Sequence, residues 1–414
     1  MNNSVGFKCI ECGAEFNLNE TKYQCLKCNS NLQVVYDYEK IKKTWSKKEL
    51  ENNNDRSIWR YSPLYPVNSK VENPLIGGTP LYKVQKLGNN LGLKNLYLKD
   101  DGRNPSASFK DRASAMVLAK ALDDNIDLVT GASTGNAASS MSCLSSSVGI
   151  KNIIFVPKTA PVAKITQLLV FGANVITVNG TYDQAFDLCL KATEKYGWYN
   201  RNTGYNPYTR EGKKSAAFEI AEQFKWVVPD LVFVSVGDGN IISGIWKGFT
   251  DLYKIGFIDK LPRLVACQAE HSNSVQLAVD GDGQIREVSG CTVADSISVS
   301  VPRDGKAAVM AVKESNGFAV TVKDDEILNS IKDVARVTGV FGEPAGVTSY
   351  AGLKKAVEKN LVNSEEKILI MITGNGLKDV NSAMKIAGEP TQVEADEKEL
   401  EKIYNKTCSC ICKH

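Results

Sequence analysis

The sequence predicts an α/β protein of two doubly wound parallel-sheet domains, with a small cysteine module ahead of them. Three observations predict it. At 414 residues the chain is too long for one small core. From residue 80 onward, strand-length apolar runs alternate with helical patterns, which implies parallel sheets covered by helices on both faces. Four of the eleven cysteines crowd into the first 28 residues, apart from that pattern.

The elements follow in order. Residues 1–36 carry Cys9-x-x-Cys12 and, after twelve residues, Cys25-x-x-Cys28. Each pair offers two thiolates from one tight turn, and two such turns complete a tetrahedral site for Zn²⁺. Short strands at 4–9, 15–17 and 32–36 suit a zinc ribbon; a redox dithiol pair or degenerate cysteines are the alternatives. Residues 37–75 form a linker or arm, helical in places over 38–51 and then extended around Pro63 and Pro66. Its Trp59-Arg60-Tyr61 is expected to pack on the body. In the body, strands are expected at 96–98, 127–130, 153–156, 175–178, 231–235, 264–268, 319–322 and 368–372. Helices are expected at 113–122, 137–147, 183–196, 215–224 and 325–338. The stretch 391–414 is read as a C-terminal helix with a cysteine-rich tail. There Cys408, Cys410, Cys412 and His414 could bind a metal, but a frayed end is the expectation.

Composition removes several function classes. Fifty basic against 47 acidic residues leave a net charge of +3, too little to draw the chain to nucleic acid or an anionic membrane. The longest apolar runs are strand-length, and the start has neither a basic nor an apolar signal region, so a cytoplasmic location is expected. Only two histidines exist, His271 and His414, so a general base falls to lysine or a carboxylate.

In doubly wound sheets, ligands bind in loops at the carboxyl ends of strands. Four such loops carry chemistry. Pro105–Arg112 runs into a helix, with Ser108 expected as its N-cap and Lys110 in the first turn. There the helix dipole disfavours an ammonium by about 0.3–1 kcal/mol, which suits an amine that must be neutral to form an imine. Gly131–Asn136 sets Ser133 and Thr134 at a helix start, a cup for a carboxylate. Ser235–Asn240 contains Gly237-Asp238-Gly239-Asn240, closely spaced glycines that let backbone amides surround a phosphate. Ile242 stands where a dinucleotide fingerprint needs its third glycine, and no Walker lysine follows Gly239, which leaves a monophosphate. The last strand ends in Thr373-Gly374-Asn375-Gly376, offering a hydroxyl and an amide. Each loop alone also fits a plain turn or a surface lysine.

Taken in order, Ser108-Phe109-Lys110-Asp111-Arg112, Ser133-Thr134-Gly135-Asn136, Gly237-Asp238-Gly239-Asn240, Phe341-Gly342-Glu343-Pro344-Ala345-Gly346 and Thr373–Asp379 resemble the threonine synthase family. That family belongs to the tryptophan-synthase-β superfamily, fold type II of the pyridoxal-phosphate enzymes. Asn206-Pro207, Glu211-Gly212-Lys213-Lys214 and the four-cysteine ribbon fit too. The resemblance covers residues 70–385 and implies a catalytic body over 76–390, with a smaller lobe of about 115–205 inserted in the larger. It implies that Lys110 carries pyridoxal 5′-phosphate as a Schiff base and serves as the catalytic base. Asn136 is then expected at the pyridoxal 3′-oxygen, Gly237, Asp238, Gly239 and Asn240 at the phosphate, and Thr373 at the pyridine nitrogen. Ser133 and Thr134 would receive the substrate carboxylate, and Glu343 would support the ring. The implied reaction turns O-phosphohomoserine and water into threonine and phosphate. A small amino-acid substrate and a homodimer are expected, with no nucleic-acid or membrane partner.

The phosphate-gripping set departs from the family pattern: Ala137, Thr203, Gly204 and Thr209 stand where polar residues and an arginine are expected. Arg210, one residue away, is the candidate substitute. That departure leaves open a related elimination or replacement on another amino acid, of dehydratase or cysteate-synthase type. A non-catalytic scaffold with a partner-binding ribbon is a further alternative.

Overall fold

The computed structural model describes residues 2–160, 162–401 and 403–404. The Cys408, Cys410, Cys412 and His414 group lies outside the described residues.

Three sheets organise the chain. Strands β1 (Ser4–Cys9), β2 (Glu15–Phe16) and β3 (Leu32–Tyr36) form an antiparallel ribbon in the order β2-β1-β3. Its inward residues Phe7, Leu32, Val34 and Tyr36 alternate with outward ones, so one face is free to bury itself on the body. Phe7 meets Tyr208 edge-on at 6.2 Å, and Tyr36 donates from its hydroxyl to Glu211 at 2.5 Å.

The chain then straps across the body through helices Tyr38–Thr44 and Lys47–Glu51 and the 3₁₀ turn Ile58–Leu64. As expected, Trp59, Arg60 and Tyr61 are buried. Tyr61 packs 5.3 Å from Phe218, and Arg60 pairs with Glu222 at 2.6 Å.

The body's strands are β4 (Leu81–Lys83), β5 (Asn95–Asp100), β6 (Leu128–Ala132), β7 (Lys151–Pro157), β8 (Asn174–Val178), β9 (Tyr199–Asn200), β10 (Leu231–Ser235), β11 (Arg263–Ala269), β12 (Phe318–Val322) and β13 (Lys367–Ile372). One sheet has the order β12-β11-β10-β13-β5-β4, parallel except for the edge strand β4. The other, all parallel, has the order β8-β7-β6-β9. Leu231–Ser235 is buried at every position, as a central strand covered on both faces must be. All eight expected body strands are present. The two extra ones are short: β4 has three residues and β9 two, too few to show a periodicity.

The helix Lys110–Asp123 is anchored by a buried charge cluster. Arg112 donates to Asp101 at 2.6 and 3.0 Å and to Glu219 at 2.6 and 2.9 Å, and Lys99 donates to Glu219 at 2.8 Å. Two cations and two carboxylates balance there, so no net charge is left dry. Arg112 and Lys99 together hold Glu219 well below the usual carboxylate range, against the burial that opposes it.

Candidate active site

A cavity of about 660 Å³ is lined by loops that follow the carboxyl ends of β5, β6, β9, β10 and β13. Lys110, Ser133, Thr134, Asn136, Gly237, Asp238, Gly239, Asn240 and Thr373 all line it, so residues from four separate sequence loops meet in one place.

The backbone around Lys110 is set by its neighbours. The exit of β13 pairs with the turn ahead of Lys110: Phe109 N–H donates to the Thr373 carbonyl at 2.8 Å, and Asn375 N–H donates to the Ala107 carbonyl at 3.0 Å. Ala107 takes a left-handed φ of +63° to make that turn. The expected cap at Ser108 is not formed. Ser108 sits in a bridge to Gly374, and its buried hydroxyl has no hydrogen-bond partner; the helix begins with Phe109 as its N-cap. Asp111 instead accepts from Ser106, from N–H at 2.7 Å and hydroxyl at 2.6 Å. Lys110 is the first helical residue, and its pKa is pushed down chiefly by burial. Glu343 opposes that shift and Arg201 adds to it.

Glu343 lies within reach of this amine's field. Burial raises its carboxyl to about 7, Lys110 and Lys378 work against that rise, and Asn136 Nδ2 donates to it at 2.7 Å. A side chain at Gly374 would strike the Glu343 carboxylate, so that glycine is required for Glu343 to enter.

The glycine loop has the shape a phosphate needs. A Cβ at Gly237 would lie 2.8 Å from Ile297 Cα, and Gly239 combines φ +88° with a would-be Cβ 2.8 Å from the Asp304 carbonyl. Both positions exclude side chains and leave backbone amides at the start of the 15-residue helix Asn240–Lys254. Asp238 does not aim a second anion at that cup. Its carboxylate accepts from Arg303 N–H at 3.1 Å, and its carbonyl from Asp304 N–H at 2.8 Å, which brace the loop. The amine, the glycine cup and the Thr373 hydroxyl together fit pyridoxal phosphate.

Arg210 is a correction. It does not line the cavity: its guanidinium donates to Asp304 at 2.5 Å, to Ser243 at 3.2 Å and to the Leu32 carbonyl at 3.1 Å. The next helical position turns it about 100° away from where Thr209 points. The basic residues that line the cavity are Lys110, Arg201, Lys213 and Arg303. Arg201, just past β9, lines it and donates to Thr203 at 3.0 Å; Lys213 lines it and donates to Asn240 at 2.7 Å. Burial, then Lys110 and Arg201, push Lys213 well below the usual lysine range. Sequence reasoning gave neither a role. Lys213 was visible in Glu211–Lys214, and Arg201 was hidden because the two-residue β9 left its loop unread. Three of the four departures have local reasons: Thr203 holds Arg201, Thr209 turns its hydroxyl to the Asn206 carbonyl at 2.7 Å, and Gly204, with φ +80°, passes the Arg303 carbonyl; nothing in the structure explains Ala137.

The four ribbon cysteines converge away from this cavity. Their sulfurs all lie within 4.8 Å of one another, with Cys9–Cys28 at 3.4 Å, Cys12–Cys28 at 3.5 Å and Cys12–Cys25 at 3.6 Å. None is in a disulfide. Among the described residues, no helix is long and apolar enough to cross a membrane.

Comparison with known proteins agrees with this geometry. The family described as "Pyridoxal-phosphate dependent enzyme" matches residues 72–374. Threonine synthase of Methanocaldococcus jannaschii is 37% identical over 96% of this chain and 99% of its own length. That of Methanosarcina acetivorans is 37% identical over 94% and 96%. Among solved structures, processed threonine deaminase isoform 2 from Solanum lycopersicum superposes with a TM-score of 0.65 at 24% identity, over 75% of this chain and 88% of its own. Maize serine racemase does so with a TM-score of 0.61 at 19% identity, over 80% and 92%. These two likenesses show the shared fold. With matches of this extent, the chain belongs to the threonine synthase family of pyridoxal-phosphate-dependent enzymes.

Proposed function

We propose that this chain converts O-phospho-L-homoserine and water to L-threonine and phosphate. The observation that carries the reading is the gathering of Lys110, Arg201 and Lys213 around one cavity. One amine is suited to bonding the cofactor, and a guanidinium beside a second amine, which an entering dianion would favour in its charged form, suits a substrate whose leaving group is a phosphate dianion.

When bound, pyridoxal 5′-phosphate supplies the electron sink for breaking the Cα–H bond. Lys110 would bond it; Gly237, Gly239 and Asn240 would hold its phosphate, with Asp238 bracing their loop. Asn136 and Thr373 would face its ring. Ser133 and Thr134, at the start of helix Asn136–Val148, would receive the substrate carboxylate. Arg201 and Lys213 would hold the substrate phosphate as it departs from Cγ. Burial keeps the Lys110 amine inclined to the neutral state, so it can accept the Cα proton, pass it on, and then take a Cβ proton as phosphate leaves from Cγ. Protons return to Cγ and Cα, and water adds its hydroxyl at Cβ. Glu343 shares a proton readily near neutrality and holds Asn136 in place.

Cys9, Cys12, Cys25 and Cys28 would hold one structural Zn²⁺. A tetrahedral S₄ site with bonds of ~2.3 Å needs sulfurs about 3.8 Å apart, close to the spacing found.

The test is steady-state phosphate release from O-phosphohomoserine, run beside ammonia release from serine and threonine. Phosphate release as the dominant turnover is expected. Ammonia release with no phosphate release would overturn the reading in favour of a dehydratase.

A further inference from the structure

A buried carboxylate, Asp304, links the cysteine ribbon to the active site. Asp304 is buried, and five groups converge on it or its backbone. Its Oδ1 accepts from Arg210 at 2.5 Å and from Asn31 Nδ2 at 2.9 Å. Its Oδ2 accepts from Asn240 Nδ2 and from the Ser243 hydroxyl, both at 2.7 Å. Its N–H donates to the Asp238 carbonyl at 2.8 Å. Asn240, held on one side by Asp304, accepts on the other from Lys213, whose ammonium lines the cavity.

Asn31 belongs to the ribbon, and both cysteine turns fix it. Its carbonyl accepts from Ile10 N–H, inside Cys9-x-x-Cys12, at 3.1 Å. It also bridges to Gln24, next to Cys25, and lies three residues beyond Cys28. A second ribbon contact runs in parallel, because Arg210 donates to the Leu32 carbonyl while paired with Asp304. Lys306, two residues past Asp304, pairs with Glu11 at 3.5 Å.

We propose that Asn31 is a positioning residue for phosphate binding: through Asp304 and Asn240 it sets Lys213, so the cysteine ribbon holds the anion-binding wall of the cavity in place. Asn31 Nδ2 donates to the Arg303 carbonyl at 2.8 Å as well as to the Asp304 carboxylate, so one amide ties the backbone and the side chain of this wall together. Without it, Asp304 keeps Arg210, Asn240 and Ser243 but loses one of the two donors on Oδ1 and its tie to the ribbon. The ligand class is a phosphate monoester, and it has two sources: the cofactor and the substrate. The inference rests on the threonine synthase reading only for its substrate arm.

The experiment compares wild type, Asn31→Ala and Asn31→Asp as full-length protein. Binding of pyridoxal 5′-phosphate to protein freed of cofactor is followed by near-visible absorbance. KM and kcat are measured with O-phosphohomoserine, and thermal midpoint and metal content are recorded for the same samples. Asn31→Ala should weaken one of the two phosphate monoesters about five- to tenfold, with kcat within about twofold. Asn31→Asp, the same shape but setting a carboxylate against Asp304, should be weaker still. A change in cofactor affinity alone assigns the wall to the cofactor phosphate; a change in KM alone assigns it to the substrate's. A lowered thermal midpoint with both affinities within twofold of wild type would overturn the proposal. Stripping metal with a chelator should reproduce the Asn31→Ala shift in wild type and add little in the variant. Failure of the threonine synthase reading shows differently, as absence of phosphate release in wild type with the cofactor arm still interpretable.

Discussion

Two arginines nine residues apart, Arg201 and Arg210, should respond to mutation in opposite ways, and the contrast tests the assignment of the cavity. Arg201→Gln removes a guanidinium that lines the cavity and donates to the Ser114 and Thr203 hydroxyls, of which Ser114 also accepts from Ser140 at 2.8 Å. A charged hydrogen bond to phosphate is worth about 1.5–3 kcal/mol, so KM for O-phosphohomoserine should rise about 10- to 150-fold. The Coulomb figure agrees in order of magnitude, at about 4 kcal/mol for unit charges ~4 Å apart near a solvated site. Stability should change little. Arg210→Ala instead leaves the buried Asp304 carboxylate without its cation. Breaking a buried pair in this way costs about 3–5 kcal/mol, and the three donors that remain, Asn31, Asn240 and Ser243, place the expected loss at the lower end. Steady-state phosphate release gives KM, and urea melts at fixed pH give stability. If Arg201→Gln leaves KM within twofold while Arg210→Ala raises it with an unchanged melt, the assignment is wrong and Arg210 is the phosphate ligand.

Three further outcomes are expected. Lys110→Ala should abolish the near-visible cofactor absorbance and nearly all turnover; a variant that stays yellow with a borohydride-reducible lysine adduct would refute Lys110. Protein prepared without chelator should contain one zinc per chain, and Cys12→Ser should lower that content while leaving the cavity formed, as elemental analysis beside cofactor binding can show. Glu219→Gln should destabilise the fold by about 3–5 kcal/mol at pH 7, because Arg112 and Lys99 lose their shared anion. Glu219's pKa is depressed in the folded state, so its stabilisation is full above the ordinary glutamate value of 4.5 and is lost as pH falls below it. The difference between wild type and variant should therefore hold from pH 7 to near pH 5 and then shrink by about 1.4 kcal/mol per pH unit below 4.5, and melts that keep a constant difference down to pH 3 would count against the network.

The parts of this molecule that could be read from sequence share one property: their signal is local. A central strand such as Leu231–Ser235 is apolar throughout because both faces are covered, and the run announces itself. The glycine loop could be read for the same reason, since the absence of a Cβ at Gly237 and Gly239 is written into the chain. Lys110 stood out by its place at a helix start. The largest cause of its lowered pKa is burial, which the folded cavity supplies and a position at a helix start does not reveal. Ser108 failed as a cap because a bridge from Gly374, distant in sequence, claims its backbone. A turn's chemistry can be read locally only when no distant strand competes for it.

What was not legible is charge placement, and the reason is geometric. Whether a cation faces a cavity depends on a rotation of about 100° per helical residue, so Arg210 beside Thr209 cannot inherit the role of its neighbour by adjacency. The cavity-lining Arg201 and Lys213 come instead from the exit of the two-residue strand β9 and from the end of the helix Tyr208–Lys213, nearly two turns beyond Asn206-Pro207. The freed Arg210 is spent on Asp304, to which Asn31 connects across 273 residues of sequence. The departure from the family's arginine position and the docking of the ribbon are thus one arrangement. With the arginine at 210, the guanidinium stays out of the cavity and forms with Asp304 a buried ion pair that Leu32 and Asn31 of the ribbon contact, while Arg201 and Lys213 line the cavity. On this argument, restoring the family pattern by Thr209→Arg should not add phosphate affinity, since Thr209 is buried with its hydroxyl on the Asn206 carbonyl. The larger side chain would overpack that turn at a cost of about 1–3 kcal/mol, and a lowered KM in that variant would refute the arrangement.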